Sequence, residues 1–247
     1  MSASNAGDTP PLEDIRFYAT AYHACSYLPE RSARSVFVDP HLPKSQPLYS
    51  RLATLGFRRS GDEIYIPHCE ECRACIPVRV DARHFAPRRI HRRILRRNAD
   101  VEQRIVPARY DETHFDLYRR YQQAKHPGGS MSDHTAQDYR EFLLSHWAGT
   151  QLLELRAAGQ LLAVSVLDPL NDGWSCVYTF FDVEASHRSP GVLAVLLAIE
   201  HTRQHGLPWV YLGYWIDGCQ KMSYKAQYIP QQRLREGRWH DLSRSSR

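Results

Sequence analysis

The chain has 247 residues, 43% of them hydrophobic and 24% charged, with a formal net charge of +5. These are the proportions of a soluble globular protein with one large domain or two small ones, long enough to bury a substantial core. The start, MSASNAGDTP, has neither the basic nor the apolar segment of a secretory signal, and the apolar run VLAVLLAI (192–199) is too short to span a bilayer, so the expected setting is the cytoplasm, with no membrane partner.

Residues 1–14 read as a disordered N-terminus, small and polar up to Pro10 and Pro11. Residues 15–104 read as a smaller N-terminal domain rich in cysteine and arginine. Within it EIYIPH (63–68) and IPVRVDA (76–82) alternate like strands, and between them Cys69-x2-Cys72-x2-Cys75 forms a knuckle. Six cysteines are too sparse for a disulfide scaffold. Three at this spacing suit a structural zinc or one face of an iron–sulfur cluster, with Cys25 as the distant ligand or His68, beside Cys69, as another candidate. A buried turn of reduced thiols, without metal, fits the same residues.

From Pro87 the pattern becomes helical. Ile90 and Ile94 are placed on one face, Arg88, Arg89, Arg92, Arg93, Arg96 and Arg97 crowd the rest, and Asn98 marks the stop. Residues 76–109 hold ten Arg against Asp81, Asp100 and Glu102, so more than the whole net charge lies there. A solvated charged face would mix signs, yet no acid stands between Arg83 and Arg97. Arginine forks match phosphate oxygens, which makes this stretch the candidate nucleic-acid contact. Phe85 is the one aromatic among these arginines, so backbone recognition of a folded RNA suits it better than stacking on a single strand.

Residues 105–235 change grammar. Helices are expected over 111–125 and from about Ala136 to Trp147, then strands at 151–157, 161–168 and 174–181. PGVLAVLLAIEHTRQHG (190–206) is the strongest helix, with Ser189 as N-cap, Pro190 at N1 and Gly206 just past its end. A strand at 209–215 and a short helix or turn at 218–228 follow, and 236–247 reads as a tail. The order is that of an α/β (α+β) fold. Ser189 and Gly191 open the long helix after a strand, where backbone N–H groups can meet a phosphate; the turn is loosely like the pyrophosphate turn of the GNAT acetyltransferases, and a plain helix start reads equally well. YLGYWIDGCQKMSYK (211–225) gathers Tyr214, Asp217, Lys221, Tyr224 and Lys225. In a helix Lys221 and Lys225 would be i,i+4 and face one cavity. Phenols and ammoniums in a cleft orient an amine, hold a carboxylate or stabilise an oxyanion. The plainer alternative is an aromatic core strand ended by solvated lysines.

CSYLPER (25–31), GFRRSGDEIYIPHCEECRACIPVRV (56–80), the basic residues from Arg92 to Asn98, YTFFD (178–182) and YLGYWIDGCQKMSYK together resemble the aminoacyl-tRNA–protein transferases of the N-degron pathway, and more narrowly their short bacterial branch, the aspartate/glutamate leucyltransferases. The resemblance runs from about residue 15 to 235. It implies a GNAT-like C-terminal acyltransferase domain behind the Cys-containing N-terminal one. It also implies transfer of leucine from leucyl-tRNA to proteins with N-terminal Asp or Glu, creating a degradation signal, with the arginines on the tRNA acceptor arm and no cofactor required for transfer. Tyr214, Asp217, Lys221, Tyr224 and Lys225 become the catalytic and substrate-binding candidates. Departures are Ile90-His91 in place of a Ser-Gln pair, Pro190 in place of Leu in Ser-Leu-Gly, and Leu28 where a second cysteine would partner Cys25. Competing readings are arginine as the donated residue, an acetyl-CoA N-acetyltransferase on the same fold, and a non-catalytic RNA-binding module.

Overall fold

The computed structural model describes residues 10–129 and 131–243; the N-terminus expected to be disordered lies outside these from residue 1 to 9, and the end of the expected tail lies outside from 244. Residues Leu12–Asp14 form a 3-10 turn, and Arg51 anchors the entry by donating to the Pro10 carbonyl, 2.8 Å. The first elements are β1 (Phe17–Ala19), the short pair β2 (His23–Ala24) and β3 (Ser32–Ala33), β4 (Ser35–Val38), α1 (Gln46–Thr54), β5 (Arg58–Ser60) and β6 (Glu63–Pro67). Strands β1, β4, β6 and β5 make a small antiparallel sheet in that order. Helix α1 begins where Ser45 accepts the Leu48 N–H and Pro47 occupies the first turn, which needs no donor there.

The chain then builds one sheet of eight strands. Its elements are β7 (Ile76–Asp81), α2 (Arg89–Arg97), β8 (Glu102–Pro107), α3 (Glu112–Lys125), α4 (Ala136–Leu143), β9 (Gln151–Ala157), β10 (Gln160–Leu170), β11 (Gly173–Phe181), α5 (Pro190–Gln204), β12 (Trp209–Trp215), α6 (Gln220–Ser223), β13 (Gln231–Arg235) and β14 (Arg238–Leu242). The spatial order is β14-β13-β7-β12-β11-β10-β9-β8. The domain division expected from sequence is thereby corrected at the boundary after residue 104 and at the start of the tail. Strand β7, from before residue 104, sits in the middle of the large sheet, because β12 needs an antiparallel partner along the edge that β11 does not take. Residues 238–242 are the closing edge strand rather than tail.

Alternation along the strands divides the core. Leu153 and Leu155 on β9, with Val210 and Leu212 on β12, face α5 and α2. Leu152, with Val164 and Val166 on β10, faces α3 and α4, and Tyr211 and Leu170 face α1. Helix α3 is capped by Asp111, which accepts two N–H groups, and α4 by a reciprocal Thr135–Asp138 box. Helix α4 stops at Leu143, earlier than the expected Trp147, whose ring instead packs edge-on against Tyr49 at 5.8 Å. The small sheet is fastened to the large one by Arg59, whose side chain and that of Asp168 are both 0% exposed, at 2.6 Å. Thr150 donates to the same carboxylate, and Arg59 also donates to the Gly61 and Leu143 carbonyls, so the buried pair has its hydrogen bonds satisfied.

Candidate active site and nucleic-acid face

Strands β11 and β12 run parallel but pair at only three positions, from Gly173–Trp209 to Ser175–Tyr211, and then part. On its other edge β12 stays paired with β7 as far as Trp215, with a bulge between Tyr211 and Gly213. Arg58 reaches from β5 into the gap. Its Nη1 donates to Ser175 Oγ at 3.1 Å and its Nη2 to the Cys176 carbonyl at 2.6 Å, an acceptor that a continued ladder would have used. Gly213 has φ +77°, and a Cβ there would stand 3.0 Å from the Arg58 Cζ, so both backbone and neighbour require glycine. Tyr49, Tyr65, Tyr214 and Cys176 surround the guanidinium, and among the described residues no carboxylate is within ion-pair distance of it.

The segment after β12 closes over this gap. Lys225 is 6% exposed, and its Nζ donates to the Tyr214 carbonyl at 2.6 Å and to Met222 Sδ at 3.2 Å. Burial first, and the Arg58 charge second, lower its pKa from 10.5 to about 7. Tyr214 is buried with its hydroxyl donating to the Gly56 carbonyl at 2.9 Å, so it serves the site through its backbone. Tyr224 lies beside Lys225, whose Nζ is 5.8 Å from the ring centroid, and is itself 43% exposed. Asp217 is exposed and accepts the Gly218 N–H. The shared cavity expected for the two lysines is not formed. Helix α6 ends at Ser223 and the chain tightens into a 3-10 turn, which turns Lys225 inward and leaves Lys221 exposed.

The arginine helix lies against the same segment. The buried face of α2 is His91, Ile94 and Asn98, whereas Ile90 is 46% exposed; the expected Ile90–Ile94 stripe is corrected, because the i, i+3, i+7 row faces the core. His91 stacks between Tyr228 (5.5 Å, 15°) and Phe85 (5.6 Å, 30°). It accepts the Arg88 N–H at Nδ1, which puts its proton on Nε2 facing Gln227 Oε1. Gln231 Nε2 donates to both the Lys225 and the Tyr228 carbonyls, at 3.1 and 2.9 Å, which ties the lysine's backbone to the ring that stacks on His91. Arg88, Arg89, Arg92, Arg93, Arg96 and Arg97 are all exposed. At the far end Asn98 donates to the Arg188 carbonyl, Arg97 donates to the His187 carbonyl, and Arg188 pairs with Asp100 at 2.8 Å.

This bolts α2 to the turn carrying Ser189 and Gly191. Ser189 occupies the expected N-cap position of α5 in the left-handed region, φ 55°, but its side chain makes no cap bond; its carbonyl takes the Val192 and Leu193 N–H groups instead. Pro190 supplies no N–H, so the turn offers a phosphate less than a usual helix start does. The two anion features read separately in the sequence therefore form one continuous surface.

The cysteines lie in and around the loop between β6 and β7. Burial and the Cys69, Cys25 and Cys72 thiols together push Cys75 up to about 12. Cys25 Sγ accepts the Leu28 N–H and Cys69 Sγ donates to the Arg34 carbonyl. The thiols are soft donors of the kind zinc or an iron–sulfur cluster takes, but among the described residues no three His, Cys, Asp or Glu side chains are arranged to hold a metal ion.

Arg58 is not among the site residues read from the sequence, since nothing in RRS distinguishes it from the ion-paired Arg59. Two consecutive strand residues point to opposite faces, and only the tertiary placement shows which finds a carboxylate.

The large sheet is mixed, and β11 and β12, its parallel pair among the described residues, are paired only as far as Ser175 and Tyr211. Among the described residues no helix is long and apolar enough to cross a membrane. The chain matches the arginine-tRNA-protein transferase N terminus over residues 23–93 and the arginine-tRNA-protein transferase C terminus over 113–235. It is 49% identical over 232 residues to an aspartate/glutamate leucyltransferase of Alcanivorax borkumensis, covering 94% of this chain and 96% of that one. It is also 49% identical over 242 residues to one of Chromobacterium violaceum, covering 98% and 99%. The chain belongs to the arginine-tRNA-protein transferase family. Among solved structures, the C-terminal domain of a putative lysylphosphatidylglycerol synthetase from Agrobacterium fabrum aligns with a TM-score of 0.48 at 16% identity, over 78% of this chain and 62% of that one.

Proposed function

We propose that the protein transfers leucine from leucyl-tRNA to the α-amine of proteins beginning with Asp or Glu, in the cytoplasm, where the added leucine is a degradation signal. The observation that carries this reading is the buried Lys225, tied through Gln231 to the Tyr228–His91 stack that seats the exposed arginine helix. The acceptor arm lies along α2 and the turn at Ser189 and Gly191, which brings the aminoacyl end to the gap between β11 and β12.

The ester is already activated, so the amine attacks the leucyl carbonyl directly. The new C–N bond forms, the C–O bond to the terminal ribose breaks, and the proton leaving the amine passes through neutral Lys225 to the departing ribose oxygen. The step needs no metal. Arg58 and Lys221 add positive charge around the developing oxyanion and the acidic acceptor. The same cations disfavour an arginyl donor, which would bring a further positive charge. The missing N–H at Pro190 weakens the acetyl-CoA alternative. Purified protein is mixed with labelled leucyl-tRNA or arginyl-tRNA and peptides beginning with Asp, Glu, Lys or Ala. Leucine on the Asp and Glu peptides alone is the expected result. Arginine on those peptides would change the donor, and acetyl transfer with neither tRNA would overturn the reading.

A further inference from the structure

We propose that Arg58 is the residue that reads the acidic side chain of the protein acceptor, its guanidinium closing on the carboxylate of an N-terminal Asp or Glu at the mouth between β11 and β12. The inference rests on the transfer reaction proposed above and names the group that selects its acceptor.

Two consecutive arginines make the case. Arg59 is fully buried and is answered by Asp168 in a two-point pair, 2.6 and 3.0 Å. Arg58 is half-buried, carries the same permanent charge and, among the described residues, is met only by neutral oxygens, Ser175 Oγ and the Cys176 carbonyl. Those two bonds fix the plane of the guanidinium and leave further N–H groups uncommitted. A charge so placed, without a counter-carboxylate, is a preorganised receptor for one. Gly213 keeps the opposite wall free of a side chain that would displace it.

Position supports the same assignment. Arg58 approaches the gap from the face of the large sheet that carries α1 and Tyr211. The arginine helix and α5 cover the other face. Donor and acceptor then reach the reacting carbonyl from opposite sides of the sheet, with Lys225 between them. The other cations near the site are less suited. Lys221 is exposed and untethered, and Lys225 has its Nζ committed to the Tyr214 carbonyl.

The test compares kcat/KM for otherwise identical peptides beginning with Asp, Asn, Glu or Gln in wild type, Arg58→Gln and Arg58→Lys, each checked by thermal melting. Arg58→Gln is expected to cut the Asp-over-Asn preference by roughly 10- to 100-fold, mainly through the peptide KM, because a two-point charged contact is lost. Arg58→Lys is expected to retain part of the preference, as a point charge without the fork. A folded Arg58→Gln that keeps the wild-type Asp/Asn ratio overturns the assignment while leaving the transfer reading intact. Wild type that transfers leucine to no acidic peptide overturns the transfer reading itself. Crystals of the wild-type chain with an aspartyl-peptide amide decide the point even where a variant fails to fold. A carboxylate on the Arg58 guanidinium supports the assignment, and one on Lys221 or elsewhere refutes it.

Discussion

Replacing Lys225 with methionine should make the protein more stable and nearly inactive. The lysine is 6% exposed and its pKa falls from 10.5 to about 7. The charged form is therefore disfavoured in the folded state by roughly 4–5 kcal/mol, at about 1.4 kcal/mol per tenfold change in proton affinity. Below pH 7 that whole cost is present. As pH rises from 7 towards 10.5 the unfolded chain holds a proton that the folded one has lost, so wild-type stability climbs and the cost disappears. Methionine removes the charge and keeps the apolar stem. It also strands the Tyr214 carbonyl, which costs about 1–3 kcal/mol. The net gain at pH 6–7 is about 2 kcal/mol, or about 4–8 °C in Tm for a chain of this size. Urea unfolding of both proteins from pH 6 to 10 reads the effect. The variant should lead at low pH, the lead should shrink as pH rises, and it should reverse near pH 10. Transfer should fall by roughly 100- to 10,000-fold if Lys225 moves the proton. A variant less stable than wild type at pH 6, with a pH-independent difference, would mean that Lys225 carries its charge comfortably, and the proton-transfer role would fail with it.

For wild type, kcat/KM should rise with pH through an acid limb near 7, because Lys225 must be neutral to accept the proton; a profile flat from pH 6 to 8 contradicts that. Arg92→Glu with Arg96→Glu should weaken tRNA binding and reduce the slope of log affinity against log salt by roughly 2, about 0.9 per lost phosphate contact; filter binding at several salt concentrations measures it. Transfer should persist after exhaustive chelation, since the leucyl ester is activated before it arrives; loss of turnover restored by zinc or iron would overturn this. Asp168→Ala should destabilise the fold by about 3–5 kcal/mol by stranding buried Arg59, seen as a lower urea midpoint.

What the sequence disclosed depended on the range of the interaction that carried it. Strands β9 and β12 and helices α3 and α5 were legible nearly to the residue, because alternation, caps and terminal glycines are local signals. The arginines of α2 were legible because a run of one sign is a local anomaly, although which face they left for the core was not. The place of β7 was not legible, since it follows from an edge of β12 more than a hundred residues away. Lys225 was marked as a site residue with its geometry open between helix and turn, and the change from i+4 to i+3 bonding after Ser223, which sends the side chain inward, is not readable from the sequence. The cysteine spacing is a strong local signal, and the fold brings Cys25, Cys69, Cys72 and Cys75 into one neighbourhood.

Arg58 shows where the limit lies. Its chemistry depends on a carboxylate being absent, and an absence at contact distance has no local signature. Arg59, one residue on, has the same side chain and an opposite fate, set by the two-residue period of β5 and by Asp168 109 positions along the chain. The pair also suggests why the site tolerates an open cation. The buried Arg59–Asp168 bridge holds β5 rigidly against β10, and that rigidity keeps the Arg58 guanidinium in place over the gap, where water alone would let a free arginine swing clear. On this argument the stability of one arginine is what makes the other selective, and loosening Asp168 should blur acceptor discrimination before it abolishes transfer.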